Sequence, residues 1–169
     1  MMRLLVIMMC LLLAAPAYGA KRTRVSIPPG RPLTFEAIEQ AARTYGVPLA
    51  PLLGILATEN GRLGEALDNT NGTWDLGPFQ INTCHLNDLQ EVGFTPQAIM
   101  ADGVINAHAA AWLLRQEIKN AGGMWHGVGH YHSRTPARKY AYIRKVRENM
   151  NYLQRHGLKS LPIKWEQKL

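Results

Sequence analysis

Residues 103–120 read GVINAHAAAWLLRQEIKN and form the most plainly helical stretch of the chain. Ala109, Ala110 and Ala111 combine high helix propensity with a small cross-section, so neighbouring helices can approach closely. Trp112, Leu113 and Leu114 add apolar bulk, and Gly122-Gly123 breaks the pattern. A helix of this composition belongs at the centre of a helical domain, and the flanking sequence supplies its neighbours. Thr34 is an N-cap for a helix with Phe35, Ile38, Ala42 and Tyr45 on one face, stopped by Gly46 before Pro48. A second helix is expected from about Ala50 to Asn60, with Leu52, Leu53, Ile55 and Leu56 as its buried stripe and Gly61 ending it. Short helices are expected around His85 to Val92 and Pro96 to Met100. A short element holds Met124 to His132, and Pro136 opens a last helix running to about Arg155, before Gly157. Only residues 67–82 depart from this. Asn71-Gly72 there signals a tight turn, hence a small hairpin or loop. The expected class is therefore α, or α+β with a minimal β-hairpin, in a single domain.

The 169 residues suit one domain, and 47 % apolar against 18 % charged residues is an ordinary globular balance that excludes wholesale disorder. Residues 1–19 form a separate segment: Arg3, an unbroken apolar run from Leu4 to Ala15, then small residues through Ala20. This reads as a secretory signal peptide cut after Gly19 or after Ala17, too short for a comfortable membrane span, with a retained anchor as the alternative. It implies export to the periplasm and no membrane span in the mature chain. Cys10 lies inside the signal, so Cys84 is alone afterwards and is expected as a small buried hydrophobe. Residues 20–32, with Pro28-Pro29-Gly30, read as an extended, mobile lead-in. The packed domain is expected over 33–157, with 158–169 as a basic tail. The net charge is +7, or +6 without Arg3, and residues 134–169 carry ten Lys or Arg against Glu148 and Glu166. Such a balance steers a protein to an anionic polymer or describes a solvated helix face.

One carboxylate stands out. Glu59 lies seven residues after Leu52, four after Ile55 and three after Leu56, so helix geometry directs it along the apolar stripe. An acid there must be neutralised, paired or put to use. Desolvation and the negative end of the helix both favour the protonated form, as a general acid working near neutrality requires. A structural acid, paired with an arginine or bonded to backbone amides, is an equal alternative on these residues alone.

Four motifs follow in order: Ile55-Leu56-Ala57-Thr58-Glu59-Asn60, Leu76-Gly77-Pro78-Phe79-Gln80-Ile81-Asn82, Asn106 opening the Ala-rich helix, and Val128-Gly129-His130-Tyr131-His132. Together they resemble the lytic transglycosylases with a lysozyme-like soluble-transglycosylase domain, over most of the chain after about residue 33. Asn69-Thr70-Asn71-Gly72-Thr73-Trp74-Asp75 is similar to a segment of the small members that accompany conjugation, secretion and pilus machines. The resemblance implies a lysozyme-like fold, peptidoglycan as substrate, no cofactor and no metal. It makes Glu59 the acid and base and Tyr131 its orienting group. Gln80 becomes a glycan contact, Phe79 an apolar wall for a sugar ring, and Gly77 a point of close substrate approach. Asn60 stands in place of the usual serine, Pro78-Phe79 in place of Leu-Met and His132 in place of asparagine, which affects subsites more than the reaction.

Asp75 also matches the second carboxylate of animal lysozymes, so a retaining hydrolase using Glu59 and Asp75 is the runner-up, against a loop aspartate bonded to nearby amides. A non-catalytic module binding peptidoglycan is a third reading. His130 and His132 are expected to flank the cleft. Zinc is disfavoured, because His126, His130 and His132 do not share one helix face and no HExxH-type sequence is present. Trp74 and Trp125 are either sugar platforms or core. The expected partners are peptidoglycan and components of a secretion, conjugation or pilus complex. Nucleic acid is not expected, and the chain is expected to act as a monomer.

Overall fold

A computed structural model describes residues 22–161; the signal-peptide reading of 1–19 and most of the basic tail lie outside the described residues. In chain order the first helices are α1 (Phe35–Tyr45), α2 (Leu49–Glu59), α3 (Leu86–Glu91) and α4 (Pro96–Ala101), and the Ala-rich helix α5 (Gly103–Ala121) is the axis of the fold. Asp102 caps α5, accepting from the Val104 and Ile105 amides at 2.9 and 3.1 Å. Ala107, Ala109, Ala110, Ala111 and Leu114 are all fully buried, so α5 is wrapped on almost every side. Its neighbours are α1 and α6 (Met124–His132), and α7 (Pro136–His156) closes the bundle by packing on α2 and α6. Ile38, Leu52, Ile55, Leu56, Val128 and Val146 meet in this core, each contributing about 1.5–3 kcal/mol of apolar burial.

The local signals hold where they are chemically specific. Thr34 Oγ1 accepts from the Ala37 amide, and Gly46 ends α1 in the left-handed conformation. The second helix ends one residue earlier than expected. Asn60, not Gly61, takes the left-handed cap, with φ 47° and its amide donating to Leu56 O at 2.9 Å. Glu59 is therefore the last helical residue.

The expected hairpin is part of a larger sheet. Four strands, β1 (Arg24–Ser26), β2 (Glu65–Asp68), β3 (Trp74–Leu76) and β4 (Ile81–Asn82), pair antiparallel in sequence order. Asp68 faces Trp74 across the turn, where Asn71 Oδ1 accepts from the Thr73 amide and hydroxyl at 3.2 and 2.8 Å. The lead-in reading of 20–32 needs correction, because β1 lies within it, with Arg24 opposite Leu67 and Ser26 opposite Glu65. The residues after β1 are also pinned: Ile27 N donates to Gly64 O at 2.8 Å, Gly30 N to Ala101 O at 2.7 Å, and Arg31 pairs with Asp102 at 2.7 Å. At the other end a 3-10 turn, Leu158–Ser160, delivers Leu161 into the core at 5 % exposure. The packed unit is thus wider than 33–157. Among the described residues no helix is long and apolar enough to cross a membrane.

Candidate active site

An open cleft of about 810 Å³ runs between the sheet and the helical layer. Glu59 enters it from the end of α2, and α7 crosses over that end. Tyr142, on α7, donates its hydroxyl to Glu59 Oε1 at 2.5 Å, and Asn149, two turns further along α7, donates to Thr58 Oγ1 at 2.9 Å. Glu59 Oε2 has no hydrogen-bond partner among the described residues and is not sealed off, so it faces the cleft. The imidazole of His132 stacks on the Tyr142 ring, with centroids 4.6 Å apart and planes within 5°.

Burial pushes the Glu59 carboxyl up to about 7; the Tyr142 hydrogen bond opposes this, the negative charge of Asp75 adds to it, and Lys145 pulls it back. Tyr142 and Tyr131 are both raised well above the usual phenol range, by burial first and then by the Glu59 charge. Both phenols therefore stay protonated. Because Tyr142 donates to Oε1, the proton of the neutral acid belongs to Oε2, the oxygen on the cleft side. Tyr142→Phe should leave the fold intact, lower turnover about tenfold through lost orientation, and move the Glu59 titration upward, since a hydrogen bond favouring the carboxylate is gone. A pH–rate profile reads that shift.

The structure brings Glu59, Asp75, Gln80, His130, Tyr131 and His132 together on the cleft wall. Gln80 sits at φ 48° and donates to Gly77 O at 2.9 Å; the facing Gly61 must be glycine, because a Cβ there would lie 2.1 Å from that same carbonyl. Asp75 has both oxygens engaged, Oδ2 by Arg22 and Oδ1 by the Asn82 amide, each at 2.8 Å. Its partners are side chains, not the loop amides expected from sequence.

Several assignments need correction. The Tyr131 hydroxyl donates to Phe79 O at 3.1 Å, so the orienting hydrogen bond to Glu59 comes from Tyr142 instead. Phe79 is fully buried and offers no wall to a sugar. Gly77, at φ 64°, is needed because a Cβ would meet Asn106 Nδ2 at 2.6 Å, so its close approach is to a core side chain. Asn60 is the exposed helix cap and does not line the cleft. Trp74 packs against the core, and Trp125 lies under the Arg147 guanidinium at 4.1 Å, away from the cleft. Cys84 is exposed on the cleft wall, not buried, and its thiol is pushed up chiefly by partial desolvation. Among the described residues no group of three or more His, Cys, Asp or Glu is arranged to hold a metal.

Tyr142 is the candidate-site residue that sequence reasoning misses. A signal is present: Tyr142, Val146 and Leu153 form a buried stripe on α7, and a hydroxyl on such a stripe needs a partner for the same reason that Glu59 does.

No family model matches the chain. Protein IpgF of Shigella flexneri is 31 % identical over 102 residues, which cover 60 % of this chain and 67 % of IpgF. The invasion protein IagB of Salmonella typhimurium is 28 % identical over 120 residues, 68 % of this chain and 75 % of IagB. At that identity and coverage, the chain belongs to the same family as IpgF.

Proposed function

We propose that the chain is an exported, periplasmic lytic transglycosylase with a lysozyme-like fold, cutting the β-1,4 bond between N-acetylmuramic acid and N-acetylglucosamine. The observation that carries this reading is the one available carboxyl group of the cleft among the described residues, Glu59, poised near pH 7 by burial, fixed by Tyr142 and open to the cleft through Oε2. Glu59 Oε2 donates its proton to the bridging oxygen as the glycosidic bond breaks and positive charge grows at the anomeric carbon. The resulting carboxylate then takes the proton of the muramoyl C6 hydroxyl, whose oxygen closes on the anomeric carbon. The product is a 1,6-anhydro ring, and Glu59 ends protonated as it began. The description of IagB as an invasion protein supports a role in opening the wall locally for a secretion, conjugation or pilus apparatus.

The retaining hydrolase requires Asp75 as a free nucleophile, and the Arg22 and Asn82 contacts on both its oxygens argue against that. Asp75→Asn separates the two. For a transglycosylase the release of soluble fragments from purified sacculi stays within about tenfold of wild type, and the Glu59 titration moves down because a charge that raised it is removed. A thousandfold loss with reducing-end products would make Asp75 the nucleophile. Sacculi bound but never solubilised by the unmutated chain would favour the non-catalytic binding module.

A further inference from the structure

The cleft is balanced except at one place. Among the described residues its lining cations are Arg22, Arg134 and Arg138. Arg22 is paired with Asp75 at 2.8 Å, and Arg134 holds both oxygens of Glu117 at 2.9 and 3.1 Å. His85 and His132 are pushed down by desolvation and stay neutral at pH 7, while His130 Nδ1 faces Glu117 at 3.6 Å. Glu59, with its raised pKa, contributes at most a partial charge there. Arg138 makes no ion pair or hydrogen bond with any described residue. Lys145, two turns along the same face of α7, lies outside the cleft lining; it is likewise exposed and unpaired among the described residues, and close enough to act electrostatically on Glu59 and His132. Between the two stands Tyr142, whose hydroxyl holds the catalytic acid. Arg24, Arg31 and Arg43 are neutralised by Glu65, Asp102 and Glu39. Arg115, Lys119 and Arg144 are also unpaired among the described residues but lie outside the cleft lining, so Arg138 is set apart by its place on the cleft wall.

We propose that Arg138 and Lys145 bind carboxylates of the peptide-substituted glycan, so that the cleft selects an anionic strand over an uncharged one. This rests on the transglycosylase reading for the identity of the polymer. Seven helical residues separate the two cations by about 10 Å along the axis, on either side of Tyr142 and Glu59. They are thus placed for acidic substituents on both sides of the bond being cut. The planar guanidinium of Arg138 suits a bidentate carboxylate, and the ammonium of Lys145 acts as a point charge. The hydroxyl and acetamido oxygens of the backbone sugars can accept hydrogen bonds from either group but offer no charge to pair with it.

Co-sedimentation of the full chain carrying Glu59→Gln, which prevents digestion, with two preparations of sacculi tests this. One is untreated, and the other has its carboxyls capped as methylamides. Binding to capped sacculi should be about tenfold weaker, the effect of two partly exposed ion pairs. Adding Arg138→Gln and Lys145→Gln should lower binding to untreated sacculi to the capped level and abolish the difference. The exchange Arg138→Lys with Lys145→Arg should keep it, with an unchanged thermal midpoint for all variants. Equal binding to both preparations, or discrimination that survives the double Gln variant, would overturn the proposal. Selective binding by an unmutated chain that cuts nothing would count against the transglycosylase reading alone, and cleavage without selectivity against the carboxylate reading alone.

Discussion

Glu59→Gln should abolish release of glycan fragments, by a factor of about a thousand or more, and at the same time make the chain more stable at neutral pH. The first effect follows from the proposed mechanism, in which one group supplies both proton transfers, and among the described residues no other carboxyl in the cleft is free to substitute. The second follows from linkage. The folded-state pKa of Glu59 is about 7 against an ordinary 4.5, so the folded chain holds a proton that the unfolded chain has released. Between those values the native state binds more protons than the unfolded state, and stability falls as pH rises. Well above pH 7 the destabilisation is complete, roughly 3 kcal/mol for a rise from 4.5 to about 7. Glutamine can still accept from Tyr142 and carries no charge to bury. Urea midpoints of wild type and variant should therefore coincide near pH 4.5 and separate toward pH 7.5, with the variant higher. A variant less stable than wild type at pH 7.5 would mean that Glu59 is a paired structural acid.

Asn106→Ala should cost more stability than any single loss of apolar volume in the core. Asn106 is fully buried at the start of α5; its amide donates to Ile99 O at 2.9 Å and Leu76 O at 3.2 Å, and its Oδ1 accepts from the Phe79 amide at 3.0 Å. It thereby ties α4, the end of β3 and the turn that presents Gln80 to one point. Alanine removes the Asn106 partner of three buried backbone groups, at about 1–3 kcal/mol each, or roughly 3–9 kcal/mol against a typical total of 5–15. The thermal midpoint should fall by more than about 10 °C. Asn106→Asp should not rescue it, because the carboxylate cannot donate to two carbonyls and adds a buried charge. A small change for either variant would place the stability of the Gln80 turn elsewhere.

Much of the helical frame is legible in the sequence because its signals are local. Thr34, Gly46 and Pro136 mark helix ends within three residues of themselves, and the Glu59 stripe needs only helical spacing. The features that escape depend on contacts distant in sequence. β1 is three exposed residues with no alternation to read, and it exists because Arg24 to Ser26 meet β2 some forty residues later. The left-handed residues Gly77 and Gln80 turn the chain so that Gln80 faces the cleft and Phe79 the core, which inverts the role that analogy gives Phe79. Asn82 Oδ1 caps the following 3-10 turn through the Cys84 amide at 2.9 Å and leaves that thiol outside. Tyr142 reaches Glu59 across 83 residues, which no spacing rule spans. Sequence alone keeps Asp75 open between a chemical and a structural role, and the Arg22 that occupies it comes from the segment expected to be mobile.

The most direct test is the mass of the fragments that the full chain releases from purified sacculi. Disaccharide peptides ending in 1,6-anhydromuramic acid, lighter by one water than their hydrolysed counterparts and absent with Glu59→Gln, are the expected products. Reducing muramic acid ends in their place, or anhydro products undiminished by Glu59→Gln, would contradict catalysis by Glu59 through the muramoyl C6 hydroxyl.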